Sequence, residues 1–478
     1  MARGQRGTVT MMSTATQGSA KRVILLMSGV TYRGTAFINA AERLGLEVVR
    51  GLDMPRPLAR HWRPTLPLDF RDPDRAVRDL VAYAYEHPVR AILAVDDAAT
   101  IIAAGACAAL GLAHNSPDAA LAARDKSVMR QRFAATGVPS PAFRLYHTDD
   151  DPAHIAREVS YPCVVKPTTL SGSQGVIRAN TPEELARAFA RTRSIVLCAN
   201  AEGSARPSYH ILVEDYIPGV EVVVEGILAA GRLTPLAIFD KPDPLTGPFF
   251  EETIYVTPSR LPATVQGAIV ATAAEACAAL GLREGPVHAE LRVDDAHPWV
   301  VEVAGRSIGG LCAKILRFGT EGTSLEELIL RAAVGNEGEA PRREERAGGV
   351  MMIPIPRAGI LKAVQGLDEA KAVVGVEEID LTIPVRRPVT PLPEGAQYLG
   401  FIFARGATPD AVEAALREAH SRLRFTIIPE LRVLAPRQQL QAGGDVAIGR
   451  QREVARVGRA DRDSITLGEL GKVGIDEG

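Results

Sequence analysis

The chain has 478 residues, 46% of them hydrophobic, and its 55 basic and 57 acidic side chains leave a formal charge of −2. That length accommodates about two to four domains, and a charge so near zero excludes the basic face of a nucleic-acid binder or a membrane-surface protein. Cys107, Cys163, Cys198, Cys277 and Cys312 are odd in number, scattered and never spaced Cys-x-x-Cys, which argues against a disulfide framework or a zinc site and for buried thiols in a reducing, cytoplasmic setting.

Residues 1–20 are polar and rich in Gly, Ser and Thr, the composition of a disordered tail. Lys21-Arg22 followed by Val23 to Met27 has the outline of a secretory signal, but the apolar run is too short and opens a βα unit instead. Val23 to Met27 reads as a strand running into Ser28-Gly29-Val30, followed by a helix over Thr35 to Leu44 and a strand over Glu47 to Arg50. A second unit has its strand at Ala91 to Val95, Asp96-Asp97 at the carboxyl end, and an Ala-rich helix to Leu110. Such alternation predicts a Rossmann-like parallel α/β domain over 21–115. Ligands bind such sheets at the carboxyl ends of the strands, so Ser28-Gly29 and Asp96-Asp97 are candidate edges of a site.

Asn115-Ser116-Pro117-Asp118 is a helix start. It opens an α+β domain over 116–336 with many hairpins, and with capping-box patterns at Thr181/Glu184 and Ser324/Glu327. A charged linker, 337–346, leads to a last α+β domain over 347–430, and residues 436–478 have the composition of a second disordered tail. No segment reaches the roughly 20 apolar residues of a membrane-spanning helix.

The chemistry concentrates in the second domain. Tyr161 to Pro167 is a strand carrying Lys166 inside an apolar run, and a buried ammonium requires an anionic partner. Immediately afterwards Ser171, Gly172, Ser173 and Gly175 form a loop of small residues whose N–H groups can wrap phosphate oxygens. The lysine precedes the glycines, so this is not a Walker A loop. Between Val287 and Gly310, two β-type runs flank the turn Asp294-Asp295-Ala296-His297. If they pair as a hairpin centred near residue 296, Glu290 lies opposite Glu302 on one face. Two opposed carboxylates repel unless a cation sits between them, and Mg²⁺ suits oxygen ligands of this kind. The bland alternative is a solvated acidic face with Arg292 nearby.

In this order, Lys126 within Arg124-Asp125-Lys126, Lys166, the 170–175 loop, the Glu214 to Ile217 hinge, Glu221, Glu290 and Glu302 resemble the ATP-grasp superfamily. The resemblance implies ATP and Mg²⁺, with Mn²⁺ as a substitute. Lys126 and Lys166 would neutralise the α- and β-phosphates, and the loop would close over the β- and γ-phosphates. Glu214 would accept the adenine amino group, Asp215, Tyr216 and Ile217 would read the ring edge through their backbone, and Glu221 would take the ribose hydroxyls. Glu290 and Glu302 would hold the metal. Lys241 would be a second γ-phosphate contact if the 240–248 segment folds over the nucleotide.

Arg306 follows Glu302 by four residues and can donate bidentate hydrogen bonds to a transferring phosphoryl group or a later oxyanion. His288 shares a face with Glu290 and can orient a substrate. Ala304 stands where many ATP-grasp enzymes carry asparagine, which removes one oxygen ligand for a second Mg²⁺. The Glu-x-x-x-Arg spacing, with the Gly349 to Gly359 segment, looks like the L-amino acid ligase branch. That likeness implies enzymes joining two unprotected L-amino acids, or a small carboxylate and an amino acid, through an acyl phosphate with release of ADP and phosphate, and it is compatible with a homodimer. Gly309 and Gly310, with Ser28 and Tyr32, are the expected substrate pocket, two glycines leaving volume for the acceptor. The alternatives are a ligase with another nucleophile or a carboxylating activity, a peptide-tailoring ligase, and an inactive nucleotide-binding regulator.

Overall fold

A computed structural model of the chain describes residues 21–29, 31–59, 65–202, 207–336 and 342–430. The tails expected at 1–20 and 436–478, and residues 337–341 of the expected linker, lie outside them. Thr65–Leu68, Glu47–Asp53, Arg22–Met27 and Ala91–Ala94 form, in that order, a four-stranded parallel sheet. Val23 to Leu26 are fully buried, as an apolar run covered on both faces of a parallel sheet must be. The edge strand Thr65–Leu68 is absent from the sequence reading because Pro67 weakens its strand signal, and an edge is where a proline is tolerated.

The centre of the molecule is an eight-stranded sheet. Its order is His297–Ala304, Gly285–Asp294, Val220–Ala229, Arg232–Lys241, Ile254–Thr257, Ala347–Ile353, Gly400–Gly406 and Val376–Leu381. It therefore continues from the second expected domain into the third, through the pairing of Ile254–Thr257 with Ala347–Ile353. A separate four-stranded sheet is ordered Phe143–His147, His210–Asp215, Cys163–Pro167 and Ile177–Ala179.

One face of the first three central strands is apolar. Val222, Val224, Leu228, Val287, Ala289, Leu291, Val300 and Val303 pack there against Ile269, Ala273, Ala276, Cys277 and Leu280. These last five lie on the helix Ala263–Leu280, which by length and composition could cross a membrane. The sequence reading overlooked it; its inner face is a core contact, which accounts for its apolar character.

Candidate active site

The opposite face of those strands is polar. Strand pairing sets His288 beside Glu225, Glu290 beside Val223, and Arg292 beside Glu221, which in turn lies beside Lys241. Glu290 does pair with Glu302, but through a bulge. From the turn upward the register runs Asp294↔His297 to Leu291↔Val300, and then steps to Glu290↔Glu302. Continued without that step, it would set Val301 opposite Glu290 and turn Glu302 to the helix side.

Lys126 is no solvated surface lysine: it is 5% exposed and its Nζ donates to Leu170 O at 2.9 Å and Glu302 Oε1 at 3.0 Å. Lys166 ion-pairs with Glu214, whose carboxylate also takes Arg130 Nε at 2.9 Å and Nη2 at 3.3 Å. Both oxygens of Glu214 are thus engaged by cations, which departs from the role of adenine acceptor expected for it. Burial pulls the Lys166 ammonium down to about 8; Glu214 opposes this, while Arg130 and Lys126 add to it. A phosphate placed beside Lys166 restores its proton. Binding of ATP is therefore expected to take up a proton above about pH 8 and not at about pH 7, with affinity falling as pH rises. Calorimetry in buffers of different ionisation enthalpy measures this, and equal proton counts at the two pH values would contradict it.

Lys241 also departs from expectation. Its Nζ contacts Glu221 at 2.7 Å, Glu252 at 2.5 Å and Glu290 at 3.6 Å. Its donors serve carboxylates, and Glu221 carries an ammonium partner where ribose hydroxyls were expected. Oxygens of Glu221, Glu252 and Glu290 lie within 4.8 Å of one another. This set and the expected Glu290–Glu302 pair share Glu290. Both offer only carboxylate oxygen, the donor type Mg²⁺ takes, so the residues fit the ion. Cations already serve both sets, Lys241 the triad, and Lys126 with His288 the facing pair.

His288 bridges two carboxylates, Glu225 Oε2 at 3.1 Å and Glu290 Oε1 at 3.2 Å. Burial alone would lower its pKa, but these hydrogen bonds and charges raise it to about 9. The imidazole thereby holds Glu290 in place.

Glu214, Asp215, Tyr216 and Ile217 of the expected hinge line a cavity of about 120 Å³ together with Lys126, Lys166, Glu221, Glu290 and Glu302. Leu245 and Phe250 line it too, so the segment after Lys241 does fold over it. Ser171, Gly172 and Ser173 border the same space. Gly175, expected to serve phosphate, instead donates its N–H to Pro393 O at 2.9 Å. A bidentate Arg191–Glu394 pair, at 2.6 and 2.8 Å, and Gln174 Nε2 to Glu394 O at 2.7 Å tie the loop region to the 393–394 segment.

Against this cavity lies a second, of about 370 Å³, bordered by Ser28, Tyr32, Gly309, Gly310, Tyr255, Met352 and Tyr398. The glycine reasoning needs correction. A Cβ on Gly310 would stand 3.0 Å from Phe401, at φ +59°, so this glycine is packed, not spacious. Gly309 has nothing within 4 Å and provides the volume.

Arg306 Nε donates to Asp97 Oδ2 at 2.9 Å and Nη1 to Ser307 O at 2.9 Å. Burial would raise the Asp97 carboxyl, but Arg306 and then Arg124 hold it at about 2. Asp96 accepts from Ser28 and Thr31, and Arg33 reaches Val95 O and Ser307.

The sequence reading missed Arg130, Glu225, Arg292, Glu252 and Asp97 as partners. Arg130 follows Lys126 by one helical turn, and Glu225 shares a strand face with Glu221, so both carried a signal. Glu252 lies outside any periodic element and carried none.

A sheet bearing facing carboxylates, covered by a second sheet that supplies a lysine and a glycine loop, defines an ATP-grasp protein. Residues 38–114 match the ATP-grasp N-terminal domain, 159–315 the ATP-grasp domain, and 351–427 the L-amino acid ligase C-terminal domain 2. The chain belongs to the ATP-grasp superfamily, among the ligases that form carbon–nitrogen bonds. The crystal structure of L-amino acid ligase from Bacillus licheniformis superposes with a TM-score of 0.73 at 28% identity, over 85% of this chain and 98% of that one. Alanine–anticapsin ligase of Bacillus subtilis is 31% identical over 219 residues, 43% of this chain and 46% of that protein. D-alanine–D-alanine ligase of a Synechococcus strain is 29% identical over 242 residues, 47% of this chain and 69% of that protein.

Proposed function

We propose that this protein joins a small carboxylate, first of all an L-amino acid, to the amino group of an amino acid. The reaction runs at the expense of ATP and passes through an acyl phosphate. The observation carrying this reading is that the two cavities meet: Ser171, Gly172, Glu252, His288, Glu290 and Arg306 border both. A nucleotide with its phosphates toward Lys126 and Lys166 would present its terminal phosphoryl group at that junction. There a carboxylate in the second cavity can approach it.

The carboxylate oxygen attacks the γ-phosphorus and ADP leaves. The free amine then attacks the acyl carbon, the C–N bond forms as the acyl C–O bond breaks, and phosphate leaves carrying the proton lost by the amine. Lys126 and Lys166 bind and orient the phosphates. Glu290 and Glu302 would hold Mg²⁺, which would supply neutralising positive charge for phosphoryl transfer. Arg306, its guanidinium fixed by Asp97 and Ser307, donates first to the transferring phosphoryl group and then to the tetrahedral oxyanion.

Pairs of amino acids screened for phosphate release, with mass spectrometry of the product, test the reading. ADP and phosphate are expected in step with amide. Stoichiometric AMP and pyrophosphate, or ADP with no amide from any pair, would count against it.

A further inference from the structure

Arg124 ends the helix Pro117–Arg124, two residues before Lys126. It borders the substrate cavity and also a groove of about 740 Å³ lined by Phe70, Ile101, Tyr209 and His210. Ala98 is the other residue common to both, so Arg124 stands where the groove meets the cavity. Among the described residues its guanidinium has no ion pair or side-chain hydrogen bond. The other arginines bordering the cavity are engaged, Arg306 with Asp97 and Arg33 with Val95 and Ser307. The Asp97 carboxylate feels Arg124 but is hydrogen-bonded to Arg306 instead. A partly buried guanidinium with no hydrogen-bonded anion among the described residues, bordering a polar cavity, keeps its donors for a planar oxyanion.

Resting on the reading of the protein as an amino-acid ligase, we infer that Arg124 binds the α-carboxylate of the amine substrate and so selects free amino acids as acceptors. The chemistry of the two substrates favours this assignment. The donor's carboxylate is consumed at the phosphoryl junction, where Arg306 stands, whereas the acceptor's carboxylate persists unchanged through the reaction. A cation that borders this cavity but not the nucleotide cavity matches the group that persists. The apolar wall of Tyr32, Met352 and Tyr398 is left for side chains.

The test compares each acceptor amino acid with its own carboxamide, which keeps the amine and side chain but loses the charge. Wild-type enzyme is expected to prefer the free acid in kcat/KM by about 10- to 100-fold, the range of a charge-assisted hydrogen bond. Arg124→Met should erase that preference through KM for the acid, with the KM values for ATP and donor unchanged, and Arg124→Lys should restore part of it. A purely structural role for the residue, as a cation at a helix C-terminus, would lower acid and amide equally. Equal loss on both, or loss confined to donors with a side-chain carboxylate, would overturn the inference while leaving the ligase reading intact. If wild-type enzyme forms no amide with any pair, both fall together.

Discussion

Replacing Glu302 with glutamine is expected to lower turnover by about 10²- to 10³-fold, comparable with removal of a principal charge-stabilising group from an active site. Glu302 is one of two facing carboxylates and also the ion-pair partner of Lys126. Glutamine keeps the volume and a hydrogen-bond acceptor for the lysine but removes the charge that holds a divalent cation. Lys126 retains its bond to Leu170 O, so the fold should persist. The expected pattern is a raised Mg²⁺ requirement and a depressed rate at saturating Mg²⁺, with Tm little changed. A rate near wild type would return Glu302 to the role of a solvated acidic residue.

Arg306→Lys is expected to lower kcat by about 10²-fold with the KM for ATP nearly unchanged. The guanidinium directs Nε to Asp97 and Nη1 to Ser307 O. Among the described residues Nη2 has no hydrogen-bond partner, which leaves it for the reacting group. An ammonium is a point charge at the end of a flexible stem and cannot hold two anchors while presenting a third donor in a fixed plane. Steady-state kinetics at varied ATP separates the outcomes. A large rise in the KM for ATP with kcat intact would make Arg306 a ground-state nucleotide ligand instead.

Much of the site was legible because its parts are local. Lys166 stands out as a charge in an apolar strand, and the 170–175 loop follows it within ten residues of chain. What the sequence conceals is who partners whom across distance. Lys241 looks like a phosphate ligand until Glu252, from a loop without periodicity, is seen beside it. Asp97 was recognised as the edge of a site, but its bond to Arg306 spans 209 positions of chain. Gly309 and Gly310 are indistinguishable as letters, yet one faces open space and the other the ring of Phe401. The opposition of Glu290 and Glu302 was expected from a hairpin symmetric about residue 296; it is produced by a turn half a residue away plus a bulge that makes up the difference.

That bulge gives the strand a phase. Val300 and Val303 both face the helix Ala263–Leu280 although an odd number of positions separates them, and Glu302 between them faces the nucleotide side. Apart from the carboxylate of Glu302, spacing is what this stretch must keep. Exchanging Val301 for another apolar residue leaves the alternation untouched, whereas losing it would exchange inside for outside for every residue on one side of the break. In an evolving chain, insertions and deletions here are thus barred singly even where substitutions pass, and length can drift freely only within the turn at Asp295-Ala296, upstream of the point where the phase is set.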